Sequence, residues 1–190
     1  MTRFWWVRHG PTHRKGMVGW SDVAADLSDT AAIARLHDHL PEAPVISSDL
    51  IRCVTTADAI QKDRPRLPHD ADLRELNFGA WELKTAAEIE ASHPEAIRTF
   101  WDRPDLNAAP GGESWTDMTT RVGRAVDRLI ETQTGDVIVV AHFGAILGQV
   151  QRALACPVSE VLGHKIDNLS VTRLAFDGRR WHAEAINHIP

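Results

Sequence analysis

The sequence predicts an α/β fold with a mainly parallel sheet and antiparallel strands at one edge. Two short apolar runs, residues 4–7 and 137–141, are typical of buried parallel strands. Helical patterns lie between the strand candidates, as crossover connections in a parallel sheet require. Near the end of the sequence, residues 170–176 and 181–186 flank Asp177-Gly178, the signature of a β-hairpin. That hairpin would supply the antiparallel edge.

The composition predicts one globular domain, residues 1–190. Apolar residues make up 43% of the chain and charged residues 25%, and neither a repeat nor a low-complexity tract is present. A net charge of −5 with a pI near 6.0 argues against nucleic acid or an acidic membrane as partner, since there is no basic stripe or tail. Sequence alone leaves a homodimer open.

Cysteine usage and the start of the chain predict a cytoplasmic location. Cys53 and Cys156 do not form a CxxC pair, and free thiols are typical of a reducing compartment. The first strand follows Met1-Thr2-Arg3 directly, so we expect no targeting peptide. No apolar run approaches the length of a membrane span.

The first half of the chain shows two helices around a short strand. Ser28 is the expected N-cap of a helix that ends before Pro41, with apolar residues at helical spacing between them. Residues 45–47 are expected to form a core strand. A second helix is expected to begin at Ser48-Asp49 and to run to about residue 60.

The second half begins with a small helical insertion, expected at about residues 82–110. Thr85 and Glu88 have the form of a capping box, and Pro94 separates two short helices. A long helix with one apolar stripe follows from about residue 116 to 134, and that stripe is expected to face the core. Further helices are expected at about 143–154 and 159–162.

Chemically informative residues follow the two apolar strands. Arg8-His9-Gly10 follows the first, and His142 follows the second. Open α/β sheets bind ligands at the carboxyl ends of their strands, so the two histidines would meet in one crevice if the strands are neighbours. A guanidinium can hold an anion while a neutral imidazole attacks it. Surface charges at ordinary turns, and a structural His142, are the alternatives.

Arg52 and Glu75 are the next candidates. Arg52 falls in the first turn of a helix after a strand, where free N–H groups already favour an anion. Glu75 stands between hydrophobic residues, a setting that suits a proton donor. A solvated arginine and a surface glutamate are the ordinary alternatives. In the glycine-rich loop after the first strand, Thr12, Gly19 and Trp20 are expected to line the pocket and bind substrate.

Five motifs in order resemble the histidine phosphatase superfamily, also called the phosphoglycerate mutase-like family. They are Arg8-His9-Gly10, Ser47-Ser48 with Arg52 and Thr56-Ala57, Leu73-Arg74-Glu75 with Phe78-Gly79-Ala80-Trp81-Glu82, Gly112-Glu113-Ser114, and Val139-Val140-Ala141-His142. The resemblance implies a three-layer αβα sandwich. It makes His9 the nucleophile that takes the phosphoryl group and passes it to water. It implies that Arg8, Arg52 and His142 hold the phosphoryl oxygens, and that Glu75 protonates the leaving oxygen and later helps to activate water.

Neither a metal nor a cofactor is expected, because the arginines and His142 supply the positive field. The run from His9 to His13 lacks the glutamate of a zinc helix, and Gly10-Pro11 argues against a helix there. The chain departs from the family pattern at Pro11, Leu83, Ala141 and Phe143. We expect these changes to alter the choice of substrate more than the reaction.

Three functions follow from the resemblance. The first is hydrolysis of a small phosphomonoester, such as a sugar phosphate, a phosphoglycerate or a ribazole-like phosphate. The second is a mutase that depends on a bisphosphorylated primer, and the third is a non-catalytic module that binds a phosphorylated ligand. The chain is shorter than cofactor-dependent mutases, and a pure binder has no need of Glu75, so hydrolysis is the expected reaction.

Overall fold

The computed structural model describes residues 1–190 as five strands, seven α-helices and two short 3₁₀ turns. In chain order these are β1 Thr2–Arg8, α1 Thr30–His39, β2 Val45–Ser47, α2 Ile51–Gln61, the 3₁₀ turns Ala71–Leu73 and Gly79–Trp81, α3 Ala86–Ser92, α4 Pro94–Asp102, α5 Trp115–Thr132, β3 Gly135–Ala141, α6 Phe143–Leu154, α7 Val158–Val161, β4 Val171–Phe176 and β5 Trp181–His188. None of the helices combines the length and the apolar character needed to cross a membrane.

The sheet has the strand order β2-β3-β1-β4-β5. Strands β1, β2 and β3 are parallel, whereas β4 pairs antiparallel with both β1 and β5. The mainly parallel sheet with antiparallel pairing at one edge is therefore confirmed. In the centre, Arg8 is paired with Ala141, so β1 and β3 end at the same level of the sheet.

Two apolar layers cover the two faces of the sheet and confirm the three-layer fold. Side chains alternate along β3, since Val137, Val139 and Ala141 belong to one cluster and Ile138 and Val140 to the other. The larger cluster of 26 buried residues packs α5 and α6 on one face. The smaller one, of 11 residues, packs α1 and α2 on the opposite face.

Two helices begin later than the sequence predicts. Asp29, not Ser28, caps α1, because its carboxylate accepts a hydrogen bond from Ala32 N at 2.9 Å. Helix α2 begins at Ile51, not at Ser48-Asp49. The backbone N–H of Ser48 donates to Val140 O at 3.1 Å, which prolongs the sheet hydrogen bonding, and Leu50, the residue before α2, is still extended.

Helices α3 and α4 lie within the range expected for the insertion. The capping box of Thr85 and Glu88 is present, and Pro94 is the first residue of α4. The buried side chains of the two helices, Ile89, Ile97 and Phe100, join the larger core cluster. These helices are therefore anchored to the same core as the sheet.

Leu83 adopts a left-handed backbone conformation, with φ of 63°, and 51% of its surface is exposed. The resemblance described above implies glycine at this position. A residue with a Cβ pays a conformational cost in this region, whereas glycine does not. The departure from the family pattern at Leu83 thus lies in an exposed turn. The departure at Ala141 lies in the core, since this residue is fully buried at the end of β3.

Candidate active site

His9 and His142 lie side by side at the carboxyl ends of β1 and β3. Their ring centroids are 5.2 Å apart, with the ring planes at 64°. The backbone N–H of His9 donates to Ala141 O at 3.1 Å and continues the pairing of the two strands by one residue. Since β1 and β3 are adjacent and parallel, the structure brings the two histidines into one crevice, as the sequence predicts.

The environment of His9 determines both its charge and its tautomer. Its pKa is lowered to about 3, chiefly by burial, and the charges of Arg52 and Arg8 act in the same direction. Nδ1 lies 2.7 Å from Gly10 O. A carbonyl oxygen only accepts hydrogen bonds, so Nδ1 carries the proton and Nε2 keeps a free lone pair. His9 is thus a neutral imidazole with an available nitrogen.

The turn that carries His9 is held by two other elements. Gly10 N donates to Thr56 Oγ1 on α2 at 3.0 Å. Asn168 Nδ2 donates to the carbonyl of His9 at 2.8 Å. A Cβ at Gly10 would meet the end of the Leu27 side chain, which would have to move to make room for it.

Arg52 is fully buried and is held by three acceptors. Nε donates to His142 Nδ1 at 3.2 Å, Nη1 to Ser21 O at 2.9 Å and Nη2 to Gly19 O at 2.5 Å. A guanidinium has five N–H hydrogens, so one remains on each terminal nitrogen. Arg52 is the second residue of α2, as the sequence predicts.

His142 is also neutral and has the opposite tautomer. Burial, together with the charge of Arg52, lowers its pKa well below 6.5. Because Arg52 only donates, Nδ1 of His142 must accept, and the proton lies on Nε2. This Nε2 lies 3.4 Å from Cys53 Sγ. The thiol is fully buried, and burial raises its pKa, so it stays protonated.

Arg8 is half-buried and has a donor without a protein partner. Nη1 donates to Ile166 O at 2.6 Å, while Nε is buried and unpaired. Its guanidinium lies 5.3 Å from the centre of the Phe143 ring. Burial lowers the pKa of Arg8 and the carboxylate of Glu75 opposes this shift. An arginine with an unpaired buried donor suits an anionic ligand.

Glu75 is buried, and both carboxylate oxygens accept backbone hydrogen bonds. Oε1 accepts from Leu76 N at 2.9 Å, and Oε2 accepts from Gly144 N, in the first turn of α6, at 3.0 Å. A Cβ at Gly144 would collide with Oε1 of Glu75. The close approach of α6 to this carboxylate therefore requires glycine.

The residues expected to bind substrate lie in different settings. Gly19 is buried and engages Arg52 through its carbonyl. Trp20 donates its indole N–H to Glu75 O at 2.8 Å, and its ring lies 4.8 Å from the guanidinium of Arg74. Thr12 is half-buried in the loop after β1. Substrate contact by these three residues stays a prediction.

Glu82 is a site residue that the sequence reasoning did not assign. Its carboxylate accepts five hydrogen bonds, from Gly19 N, Trp20 N, Ser21 N, Ser21 Oγ and Phe78 N, at 2.7–3.1 Å. Burial raises the pKa of Glu82, but these hydrogen bonds outweigh it and the net shift is downward. Glu82 therefore holds the 19–21 loop, whose carbonyls hold Arg52. In the sequence, Glu82 stands out only as part of the Trp81-Glu82 motif, and the motif alone does not indicate what Glu82 contacts.

The structure has no group of three or more His, Cys, Asp or Glu side chains placed to hold a metal ion. Positive charge at the crevice comes from Arg8 and Arg52, and the first turn of α6 adds backbone N–H groups. The arrangement combines a neutral imidazole, two guanidinium groups and a carboxyl group. These are the elements of nucleophilic and acid–base catalysis on an anionic ester.

Known proteins resemble this chain in sequence over most of its length. The model of the histidine phosphatase superfamily (branch 1) matches residues 4–189. A bifunctional protein of Mycobacterium tuberculosis is 33% identical over 197 residues, and the match covers 93% of this chain and 51% of that protein. The chain thus spans about half the length of that relative. Glucosyl-3-phosphoglycerate phosphatase of the same species is 32% identical over 208 residues, with 95% and 92% of the two chains covered.

Solved structures share the whole fold. YhfR of Bacillus stearothermophilus superposes with a TM-score of 0.90 at 26% identity, and 100% of this chain and 98% of that chain are covered. The complex of mycobacterial glucosyl-3-phosphoglycerate phosphatase with VO3 gives a TM-score of 0.84 at 28% identity, with 98% of each chain covered.

Proposed function

The chain belongs to the histidine phosphatase superfamily (branch 1), and on that premise we propose that it hydrolyses a small phosphomonoester through a phosphohistidine on His9. The relatives include a glucosyl-3-phosphoglycerate phosphatase and a phosphoglycerate mutase-like protein of Arabidopsis thaliana, which supports a phosphoryl-transferring enzyme. The observation that carries the proposal is the hydrogen bond from His9 Nδ1 to Gly10 O. It directs the lone pair of the neutral ring to Nε2, beside two arginines.

In the first step, Nε2 of His9 attacks phosphorus and the P–O bond to the alcohol breaks. The electron pair of that bond leaves with the alcohol oxygen, which takes a proton from the carboxyl group of Glu75. The free hydrogens of Arg52 and the unpaired Nε of Arg8 are the donors proposed to hold the phosphoryl oxygens. Nε2–H of His142 can join them, because the thiol of Cys53 is only a weak acceptor.

In the second step, water attacks the phosphorus of the phosphohistidine. Glu75, now a carboxylate, accepts a proton from that water, and the P–N bond breaks with its electron pair returning to Nε2. The products are the alcohol and inorganic phosphate, and Glu75 and His9 regain their starting protonation states. Neither step calls for a metal ion or a cofactor, since the charge of the phosphoryl group is met by the two arginines.

The mutase and binding alternatives predict different behaviour from this hydrolase. A mutase returns the phosphoryl group to a second hydroxyl and depends on a bisphosphorylated primer. A binding module turns over no ester at all. The 32% identity to glucosyl-3-phosphoglycerate phosphatase, over nearly the full length of both chains, supports hydrolysis.

The test is phosphate release from p-nitrophenyl phosphate and a panel of phosphorylated metabolites, in the presence of EDTA. We expect activity that survives EDTA and falls to background in His9→Ala. His182→Ala is the matched control, because His182 is an exposed histidine on β5, paired with Asp177 in the hairpin, and we expect it to retain wild-type activity. Activity of His9→Ala near the wild-type level would refute the proposal.

A further inference from the structure

A small apolar cavity borders Glu75. It has a volume of about 100 Å³, and its accessible wall is almost entirely apolar. Its lining includes Leu76, Phe78, Trp101, Phe143 and Leu162, from four separate parts of the chain. The pocket beside Glu75 is therefore formed jointly by residues 76–78, helix α4, the start of α6 and the residue after α7.

Resting on the proposed function, we infer that this cavity binds the carbon skeleton of the leaving alcohol, and that preferred substrates carry an aromatic ring or a branched alkyl group there. Glu75 must reach the ester oxygen to protonate it, so the first carbons of the alcohol lie next to Glu75. The cavity is the space that adjoins this carboxyl group and is lined by apolar side chains. An apolar group entering it is removed from water and contacts aromatic rings.

The apolar lining of this cavity disfavours binding of an alcohol that carries many hydroxyl groups. Glu75 is the only charged side chain in the lining, its carboxyl group serves the ester oxygen in the proposed step, and the indole N–H of Trp115 donates to Gln151 Oε1 at 2.6 Å. A sugar or glycerol hydroxyl placed there would lose its hydrogen bonds to water with few replacements. The cavity thus separates this chain from an enzyme built for a sugar phosphate.

Phe143 is the specificity-determining residue of this site. Its ring lines the cavity, and the centre of the ring lies 5.3 Å from the guanidinium of Arg8. It therefore joins the proposed phosphate site to the apolar wall. A closed apolar cavity of about 150 Å³ holds benzene, so this smaller space limits the group to at most one ring.

The test compares benzyl phosphate with glycerol 3-phosphate, whose alcohols are leaving groups of similar basicity. We expect kcat/KM to favour benzyl phosphate by at least about ten-fold, which corresponds to about 1.4 kcal/mol. Phe143→Ser and Leu162→Asn should each reduce this preference several-fold, mainly through KM for benzyl phosphate. Leu106→Ala, an exposed leucine of the same region outside the cavity, should leave it unchanged.

Binding without turnover separates this inference from the proposed function. Benzylphosphonate should bind wild-type protein at least about ten-fold more tightly than 2-hydroxyethylphosphonate by calorimetry. Tighter binding of benzylphosphonate in a protein that hydrolyses no ester would support the cavity and refute the hydrolase. Hydrolysis of both esters at similar kcat/KM, or equal binding of the two phosphonates, would overturn the cavity inference alone.

Discussion

Replacing Glu82 with glutamine would disturb the site through a residue that does not touch the reacting atoms. Oε2 of Glu82 accepts from Gly19 N, Ser21 N and Ser21 Oγ, and Oε1 accepts from Trp20 N and Phe78 N. The carbonyls of Gly19 and Ser21 in turn accept from Arg52. A looser 19–21 loop should therefore release Arg52 from its position.

The loss of stability in Glu82→Gln can be estimated from the number of backbone N–H donors that lose their acceptor. A glutamine has one acceptor oxygen, and its NH2 group faces two backbone N–H groups in either orientation. Leaving a buried donor unpaired costs about 1–3 kcal/mol. Trp20, Ser21 and Phe78 are half-buried, which reduces the cost at their N–H groups, so two unpaired donors should lower the free energy of unfolding by about 2–4 kcal/mol. Displacement of Arg52 should also lower kcat/KM by about ten-fold or more.

Urea unfolding and kcat/KM for p-nitrophenyl phosphate measure the two effects. Glu88→Gln is the matched control, because Glu88 is an exposed carboxylate that accepts from Thr85 N and Thr85 Oγ1 in a capping box. We expect the control to lose less than about 1 kcal/mol and no activity. A Glu82→Gln protein with unchanged stability, or one with lost stability but unchanged kcat/KM, would refute the link through the loop.

Three further predictions rest on the same contacts. Gly144→Ala should lower kcat/KM by about ten-fold or more, because the added methyl group would collide with Glu75. Gly123→Ala in α5 is the control, because the space there is open; it should keep activity and raise the free energy of unfolding by about 0.5–1 kcal/mol. Equal activities of the two variants would contradict this prediction. Glu75→Gln should slow benzyl phosphate far more than p-nitrophenyl phosphate, since only the alkoxide needs a proton, and equal losses would refute the acid role. His9 and His142 have folded pKa values below the unfolded value of 6.5, so the unfolded chain binds more protons and the protein becomes less stable as the pH is lowered. Urea unfolding between pH 6.5 and 5 should show a loss of stability approaching about 2.7 kcal/mol per pH unit, and a flat profile would refute the neutral burial of the two histidines.

Strand placement in this fold was predictable because it follows from apolar runs. The runs at 4–7 and 137–141 are central strands, and their common end places His9 beside His142. The position of Arg52 at the start of α2 was predictable for the same reason, since a strand and a helix candidate follow each other there. Apolar runs in the sequence thus locate the residues that follow the ends of the strands.

Helix starts were less predictable because neighbouring polar residues compete for the same role. Ser28 and Asp29 can both cap a helix, and the structure pairs Asp29 with Ala32 N while the backbone N–H of Ser28 donates to Asp26, each at 2.9 Å. Ser48 was expected in α2, but its N–H pairs with β3. Such outcomes depend on partners from other parts of the fold.

The role of Glu82 could not be read from the sequence for a similar reason. Four of its five donors come from a loop about 60 residues earlier in the chain, and their convergence appears only after folding. Trp20 was expected to line the pocket, and its indole N–H donates to the backbone carbonyl of Glu75. Trp81, which precedes Glu82, is buried against Phe100 in the core, with ring centroids 5.4 Å apart.

The most direct test of the account is the chemical identity of the phosphorylated intermediate. Rapid acid-free quenching during turnover of ³²P-labelled p-nitrophenyl phosphate, followed by mass spectrometry, locates the phosphoryl group. We predict an acid-labile, base-stable phosphohistidine at Nε2 of His9, absent from His9→Ala, because Nδ1 is committed to Gly10 O. A label at Nδ1, a label on another residue, or turnover with no phosphorylated enzyme under single-turnover conditions would contradict it.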